Sequence, residues 1–312
     1  MKRRPPLRLG LVGCGRIAER GWIPAIHRVP EARLVAVADV RPERRAIAAP
    51  ARGFTDARAL AQSGEIEAAI VATPAAMHVD DAAALAAEGL PVLVEKPPGL
   101  DVDAARRLAA LRPPVCLGFN RRFDPALRHL RSRVPPAVPL RLELGFRYRR
   151  EAWAAYDVDD DVLLDVGPHV VDLARWLTGS EIRRVRALAL ERERCELELA
   201  FDDGLASVTC EGDAPYRETA AVWRQDGSEI GRWRRGTLGD ALRSRLPRAA
   251  PPLVASLAAE LRAFCTAADG DSGDLADGAD GVAVMVTIEA ARASASRGGD
   301  WVATTSTCGP TR

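Results

Sequence analysis

The short, largely apolar run Leu7–Val12 passes without a break into Gly13-Cys14-Gly15-Arg16-Ile17-Ala18, and residues 16–29 then carry apolar side chains at helical spacing. A strand that becomes a helix across two glycines has few folds open to it. The turn must be tight, and the uncovered amides at the start of the helix make a cradle for an anion. The alternation continues, with strands expected at 34–40, 68–73, 91–95 and 115–119 and helices at 42–52, 75–88 and 101–111. Near-continuous apolar strands separated by helices specify an α/β fold on a doubly wound parallel sheet, a Rossmann arrangement.

Asp39 closes the second strand 24 residues after Gly15. At that distance an acidic side chain accepts hydrogen bonds from the two hydroxyls of an adenosine ribose. Strand, glycine turn, helix and acid together predict a dinucleotide site on Gly13, Gly15 and Asp39, with Ala18 in the place of a third glycine. The charge of Asp39 favours NAD because it repels a 2′-phosphate, while Arg41, Arg44 and Arg45 close behind it keep NADP open.

Beyond residue 120 the period changes. Residues 140–148 alternate apolar side chains with Arg141, Glu143 and Arg147, residues 195–201 alternate likewise, and Asp226-Gly227 reads as a hairpin turn. Half-exposed strands of this kind belong to an open, mainly antiparallel sheet. Helices are expected at 163–177, 252–267 and 281–296, the last two joined by an Asp/Gly-rich turn. The 312 residues therefore divide into a Rossmann domain at 1–120 and a substrate-binding and oligomerisation α+β domain at 121–312, whose last helix is expected to pack back toward the first domain.

Composition narrows the function classes. With 47% hydrophobic and 28% charged residues the chain is an ordinary globular protein, and a formal charge of +1 gives no global attraction to nucleic acid or to an anionic membrane. The six cysteines contain no C-x-x-C pair, so neither a zinc site nor a disulfide framework is expected. The basic start, with Arg3-Arg4, lacks the apolar stretch of an export signal, and no run of apolar residues is long enough to span a bilayer. A cytoplasmic protein with no metal, no membrane contact and no nucleic-acid partner is expected.

Of the 44 basic residues only Lys2 and Lys96 are lysines, and Asn120 is the single asparagine. Where arginine has been used almost throughout, an interior lysine points to a place needing a compact ammonium. Lys96 stands in Glu95-Lys96-Pro97 at the carboxyl end of its strand, the edge of an open parallel sheet where ligands bind. There an ammonium is able to stabilise a developing alkoxide. Further on, Asp165 and His169 are four apart at the start of a helical segment, with Asp172 one turn later and Pro168 requiring a first-turn position. A carboxylate beside an imidazole fixes its tautomer and equips it as a general base.

Taken together, these segments resemble the glucose-fructose oxidoreductase, inositol dehydrogenase and MocA (Gfo/Idh/MocA) family. The resemblance is carried by Gly13-Cys14-Gly15-Arg16-Ile17-Ala18, Ala72-Thr73-Pro74 with His78, Glu95-Lys96-Pro97, Gly118-Phe119-Asn120-Arg121-Arg122-Phe123 and Asp165-x-Gly167-x-His169-x-x-Asp172. It implies an NAD(P)-dependent oxidoreductase acting on a sugar-like or polyol substrate, assembled as a homodimer or homotetramer. Carried over by position, Gly13, Cys14, Gly15, Arg16, Ile17, Asp39, Thr73, Pro74, Glu95 and Lys96 line the cofactor, and His78 either joins them or caps the helix it begins. Lys96 polarises the reacting oxygen, His169 is the base, Asp165 supports both, and Asn120 lies beside nicotinamide or substrate.

The chain departs from the family pattern in an acidic stretch, Asp157, Asp159, Asp160 and Asp161, read either as a selector of cationic or polyhydroxylated substrates or as a solvated helix start. Val134-Pro135-Pro136-Ala137 replaces a glycine-containing turn. An arginine cluster, Arg232, Arg234, Arg235, Arg243, Arg245 and Arg248, reads as a solvated loop or subunit contact. Trp153, Tyr156 and Trp176 read as packing residues, with Trp153 or Tyr156 also suited to stack on a sugar. Hydride transfer at a secondary hydroxyl or ketone is the expected activity; redox-neutral use of bound NAD and a dinucleotide-sensing regulator are the alternatives.

Overall fold

The first sheet is built around β1 (Leu7–Val12), which pairs in parallel with both β2 (Ala32–Ala38) and β4 (Ala68–Val71). With β3 (Arg52–Phe54), β5 (Val92–Glu95), β6 (Cys116–Gly118) and the short antiparallel edge strand β13 (Ala276–Asp277), the order is β13-β6-β5-β4-β1-β2-β3. Chain direction across the sheet reverses between β1 and β4, so Gly13 and Thr73 sit at the switch point where ligands enter such folds. This computed structural model describes residues 5–136, 138–150, 160–236, 250–267 and 273–304.

Two compact units make up the chain: Met1–Asp124 with Ala250–Val282, and Pro125–Ala249 with Ala283–Arg312. The first is thus discontinuous. Its core gathers Leu9, Leu11, Ile70 and Leu93 from the strands, Trp22 and Ile26 from the segment after the glycine turn, and Val254, Leu257, Leu261 and Phe264 from the helix Pro252–Ala267. Burying such aliphatic and aromatic side chains contributes about 1.5–3 kcal/mol each.

Several elements differ from the sequence reading for local reasons. The helix expected over 16–29 contains a widened turn, Ala18–Trp22, that buries Ala18, Gly21 and Trp22, and the α-helical part ends at Ile26. The helix expected over 42–52 stops at Arg45, continues as a 3-10 turn Ala46–Ala48 and gives way to β3, whose Arg-Gly-Phe sequence carries no apolar run. The helix expected over 163–177 is two helices, Val162–Asp165 and Gly167–Thr178. Pro168 demands a first-turn position because it has no N–H to donate, and the chain restarts at Gly167 to provide one.

In the second unit the strands are β7 (Leu140–Arg149), β8 (Arg184–Leu190), β9 (Arg194–Phe201), β10 (Gly204–Glu211), β11 (Asp213–Arg224), β12 (Glu229–Arg235) and β14 (Val302–Ala303). They are ordered β12-β11-β7-β10-β9-β8-β14, and every pair is antiparallel except β7 with β10. Leu140, Leu142, Leu144 and Phe146 of β7 are buried, so its even-numbered residues form the covered face. The turn at Asp226-Gly227 joins β11 to β12, with Gly227 at φ +87° and Asp226 Oδ1 accepting the Ser228 N–H. No helix among the described residues is long and apolar enough to cross a membrane.

Candidate active site

The candidate residues of the first unit surround the ends of β1, β2, β4 and β5. Gly13 stands at φ +86°, and a Cβ there would come within 2.6 Å of the Thr73 backbone nitrogen, so only glycine lets β1 turn this close to the end of β4. A Cβ at Gly15 would meet nothing within 4 Å, so open space borders the turn there, while the Gly13 N–H is bonded to the Ala38 carbonyl at 2.8 Å. Asp39 reaches back from the end of β2 and accepts the Cys14 N–H on Oδ2 and the Arg41 N–H on Oδ1, both at 2.9 Å. Burial and the neighbouring Asp39 carboxylate push the Cys14 thiol up to about 12, so Cys14 serves through its backbone and not as a thiolate.

The nearby arginines are engaged. Arg45 donates to the Asp39 carbonyl at 2.6 Å, Arg44 pairs with Glu19 at 3.4 Å, and the Arg41 guanidinium lies 3.9 Å from the Asp39 carboxylate. The glycine turn, the open space beside Gly15 and an acid held at the strand end fit the adenosine and pyrophosphate portion of a dinucleotide. Arg16 and Ile17 follow within the opening turn of the helix.

His78 takes a part that neither sequence reading describes. The ring is 1% exposed, with Nδ1 2.8 Å from the Pro97 carbonyl oxygen and Nε2 2.8 Å from that of Thr73. The ring lies between the Thr73-Pro74 turn and the Lys96-Pro97 turn and, when neutral, donates to one of these carbonyls from the nitrogen that carries the proton. Burial outweighs the two carbonyls and lowers its pKa. Thr73 is held a second time, donating its hydroxyl to Asp81 at 2.7 Å.

Glu95 at the end of β5 is buried, accepting the Trp22 indole N–H at 2.8 Å and the Lys96 backbone N–H at 3.1 Å. Burial raises its pKa. Its contacts fix the backbone from which Lys96 rises; Lys96 itself is half-buried and is followed by a cis bond to Pro97. Asn120 is also buried, accepting from Arg121 at 2.8 Å and donating to Ser256 at 3.2 Å. Sequence reading missed Trp22 and Ser256. Trp22 lies within the expected helix with nothing to mark its partner, and Ser256 comes from more than a hundred residues away.

In the second unit, Asp165 ends the helix Val162–Asp165, whose first turn is capped by Asp161 accepting the Leu164 N–H at 2.8 Å. The Asp165 Oδ2 accepts the Tyr148 hydroxyl and, at 3.2 Å, the Arg150 Nε–H. Arg150 also donates to Glu193 at 3.0 Å and pairs with Asp160. His169 is 8% exposed, its ring centroid 5.8 Å from that of Phe146. Gly167 between them admits Ile288, whose Cδ1 would lie 2.9 Å from an added Cβ. Tyr148 and Arg150 were missed because strand alternation marks a covered face without saying what that face supports.

Of the acidic stretch, Asp160 pairs with Arg150 and Asp161 with Arg292 at 2.9 Å. Asp157, Asp159, Trp153, Tyr156, Ala137, Arg243, Arg245 and Arg248 lie outside the described residues. Arg232 pairs with Glu229, Arg235 stacks over Trp233 at 5.1 Å, and Arg131 lies over Trp176 at 4.5 Å.

Residues 7–113 match the family described as "Oxidoreductase family, NAD-binding Rossmann fold", and residues 128–230 match the GFO/IDH/MocA C-terminal domain. The chain belongs to the GFO/IDH/MocA oxidoreductase family. Within it, the chain is similar to the rhizopine catabolism protein MocA of Rhizobium meliloti, 28% identical over 93% of this chain and 95% of that one. It is 33% identical to the inositol 2-dehydrogenase of Acidothermus cellulolyticus, an alignment that spans 60% of this chain and 58% of the relative, less than two thirds of its length. The scyllo-inositol dehydrogenase of Lactobacillus casei, solved with NAD(H) and scyllo-inositol, shares the fold with a TM-score of 0.77 at 19% identity, covering 96% of this chain and 100% of that one.

Proposed function

We propose that this GFO/IDH/MocA protein is an NAD-dependent dehydrogenase that oxidises a secondary hydroxyl of a polyol, with inositol-like rings as the first class to test. The observation that carries the reading is the coexistence of the Gly13/Asp39 turn with Lys96 at a strand end and with Asp165 and His169 on consecutive helices. The family description and the inositol dehydrogenases among its relatives support it.

In this account the backbone amides at Gly15–Ile17, where the helix begins, would hold the pyrophosphate, and Asp39 would accept the ribose hydroxyls. Its negative charge selects NAD over NADP, because Arg45 and Arg44 are turned to the Asp39 carbonyl and to Glu19. Thr73, Pro74 and Glu95 shape the nicotinamide end, with His78 as their strut. NAD supplies the hydride acceptor. His169 Nε2 takes the substrate hydroxyl proton, the Lys96 ammonium stabilises the alkoxide, and Asp165 orients the proton-handling groups. Asn120, with both ends of its amide engaged, fixes the loop after β6 beside the substrate.

The test is steady-state turnover of a polyol identified by NADH formation. Lys96→Ala and His169→Ala are each expected to lower kcat by about a hundredfold or more while NADH binding persists. Full turnover in either variant would defeat the assignment.

A further inference from the structure

The covered face of β7 continues past the strand. Phe146, Tyr148 and Arg150 are successive same-side residues, and the Arg150 N–H extends the ladder by donating to the Gly212 carbonyl at 2.7 Å. Phe146 backs His169 at 5.8 Å, and the Phe146 and Tyr148 rings are 5.9 Å apart. Tyr148 and Arg150 both donate to one oxygen of Asp165. One face of this interior strand and the residue just beyond it therefore bear on both Asp165 and His169, an aromatic ring beside the imidazole and two donors on the carboxylate.

We propose that Tyr148 and Arg150 are positioning residues that hold the Asp165 carboxylate ionised and aimed for the reaction. The inference rests on the proposed roles of Asp165 and His169. A phenol and a guanidinium converging on a single carboxylate oxygen leave the group one orientation, and both stabilise its charged form over its protonated one. Arg150 does not spend its charge on Asp165 alone, since it also serves Asp160, Glu193 and the Asp160 carbonyl at 2.9 Å. Tyr148 adds what the shared cation does not. Burial and the Asp165 charge raise its pKa, so it remains a donor across the working range. Cys210 from β10, another group beside Asp165, has its thiol pKa pushed well up by its hydrogen bond to Cys195 and by burial, and it stays neutral.

The test uses the full chain with a turned-over polyol and the variants Tyr148→Phe, Arg150→Met, Arg150→Lys and Asp165→Asn. Tyr148→Phe removes one hydroxyl and keeps the packing against Phe146. It is expected to lower kcat about tenfold with little change in KM, and to raise by about one unit the pH at which activity is half lost on the acidic side. Arg150→Met is expected to shift the profile the same way and Arg150→Lys to recover part of it. NADH affinity should be unchanged in Tyr148→Phe. An unmoved pH profile in Tyr148→Phe, with Asp165→Asn inactive, would overturn the positioning role alone. Full turnover in Asp165→Asn would overturn the reading of Asp165 on which it rests.

Discussion

Cys14 and Asp39 are joined by a hydrogen bond, the Cys14 N–H donating to Asp39 Oδ2 at 2.9 Å, so the glycine turn after β1 and the acidic end of β2 form one piece. Removing the carboxylate would loosen the glycine turn and, on the proposed reading, take away the ribose acceptor. Asp39→Ala is expected to weaken NADH at least about tenfold and to narrow any gap between NADH and NADPH. Fluorescence titration with both nucleotides checks this, and an unchanged NADH Kd would count against Asp39 as the ribose acceptor.

Gly13 and Gly15 separate stability from binding. Gly13→Ala places a Cβ 2.6 Å from the Thr73 nitrogen at a φ of +86°, and is expected to destabilise by about 2 kcal/mol or more. Gly15→Ala meets nothing and should leave stability within about 1 kcal/mol while weakening NADH through the methyl it puts on the cradle. Chemical denaturation beside NADH titration reads both, and equal stability losses would contradict the contrast.

His78 predicts a pH dependence. Burial holds its pKa below the ordinary imidazole value of 6.5. Because the folded-state value is the depressed one, the stability it contributes is complete above pH 6.5 and is lost as pH falls through that lower value. Thermal midpoints should therefore drop on acidification below that point, and His78→Gln should be less stable at neutral pH with a flatter dependence there. A variant with the wild-type slope would show that another group titrates.

Trp22 predicts the opposite slope. Trp22→Phe leaves Glu95 Oε1 without its indole donor, at a cost of about 1–3 kcal/mol. Burial raises the Glu95 pKa, so its protonated form is favoured in the fold, and the associated stability is lost as pH rises through the folded value. The variant should thus be penalised more at about pH 8 than at about pH 5. A penalty independent of pH would mean that Glu95 keeps one protonation state across that range.

The parallel sheet is legible because β1, β2, β4 and β5 are largely apolar and the glycine turn announces itself. Lys96 stood out by rarity. Less visible was anything set by long-range packing: β3 has no apolar signal, the partner of Trp22 is Glu95, and Ser256 reaches Asn120 from the helix Pro252–Ala267. His78 was legible as a member of its motif but not as a strut, since two carbonyl partners on separate turns leave no trace in spacing. Asp165 and His169, four apart in one expected helical segment, stand on two helices because Pro168 restarts the chain between them.

The most direct measurement is titration of the purified protein with NADH and NADPH, followed by an absorbance assay for NADH formation against inositols, other polyols, sugars and amino sugars. NADH is expected to bind more tightly than NADPH, with net NADH formation from at least one polyol. Absence of NADH binding, or binding with no net NADH formation from any of these compounds, would contradict the proposed function.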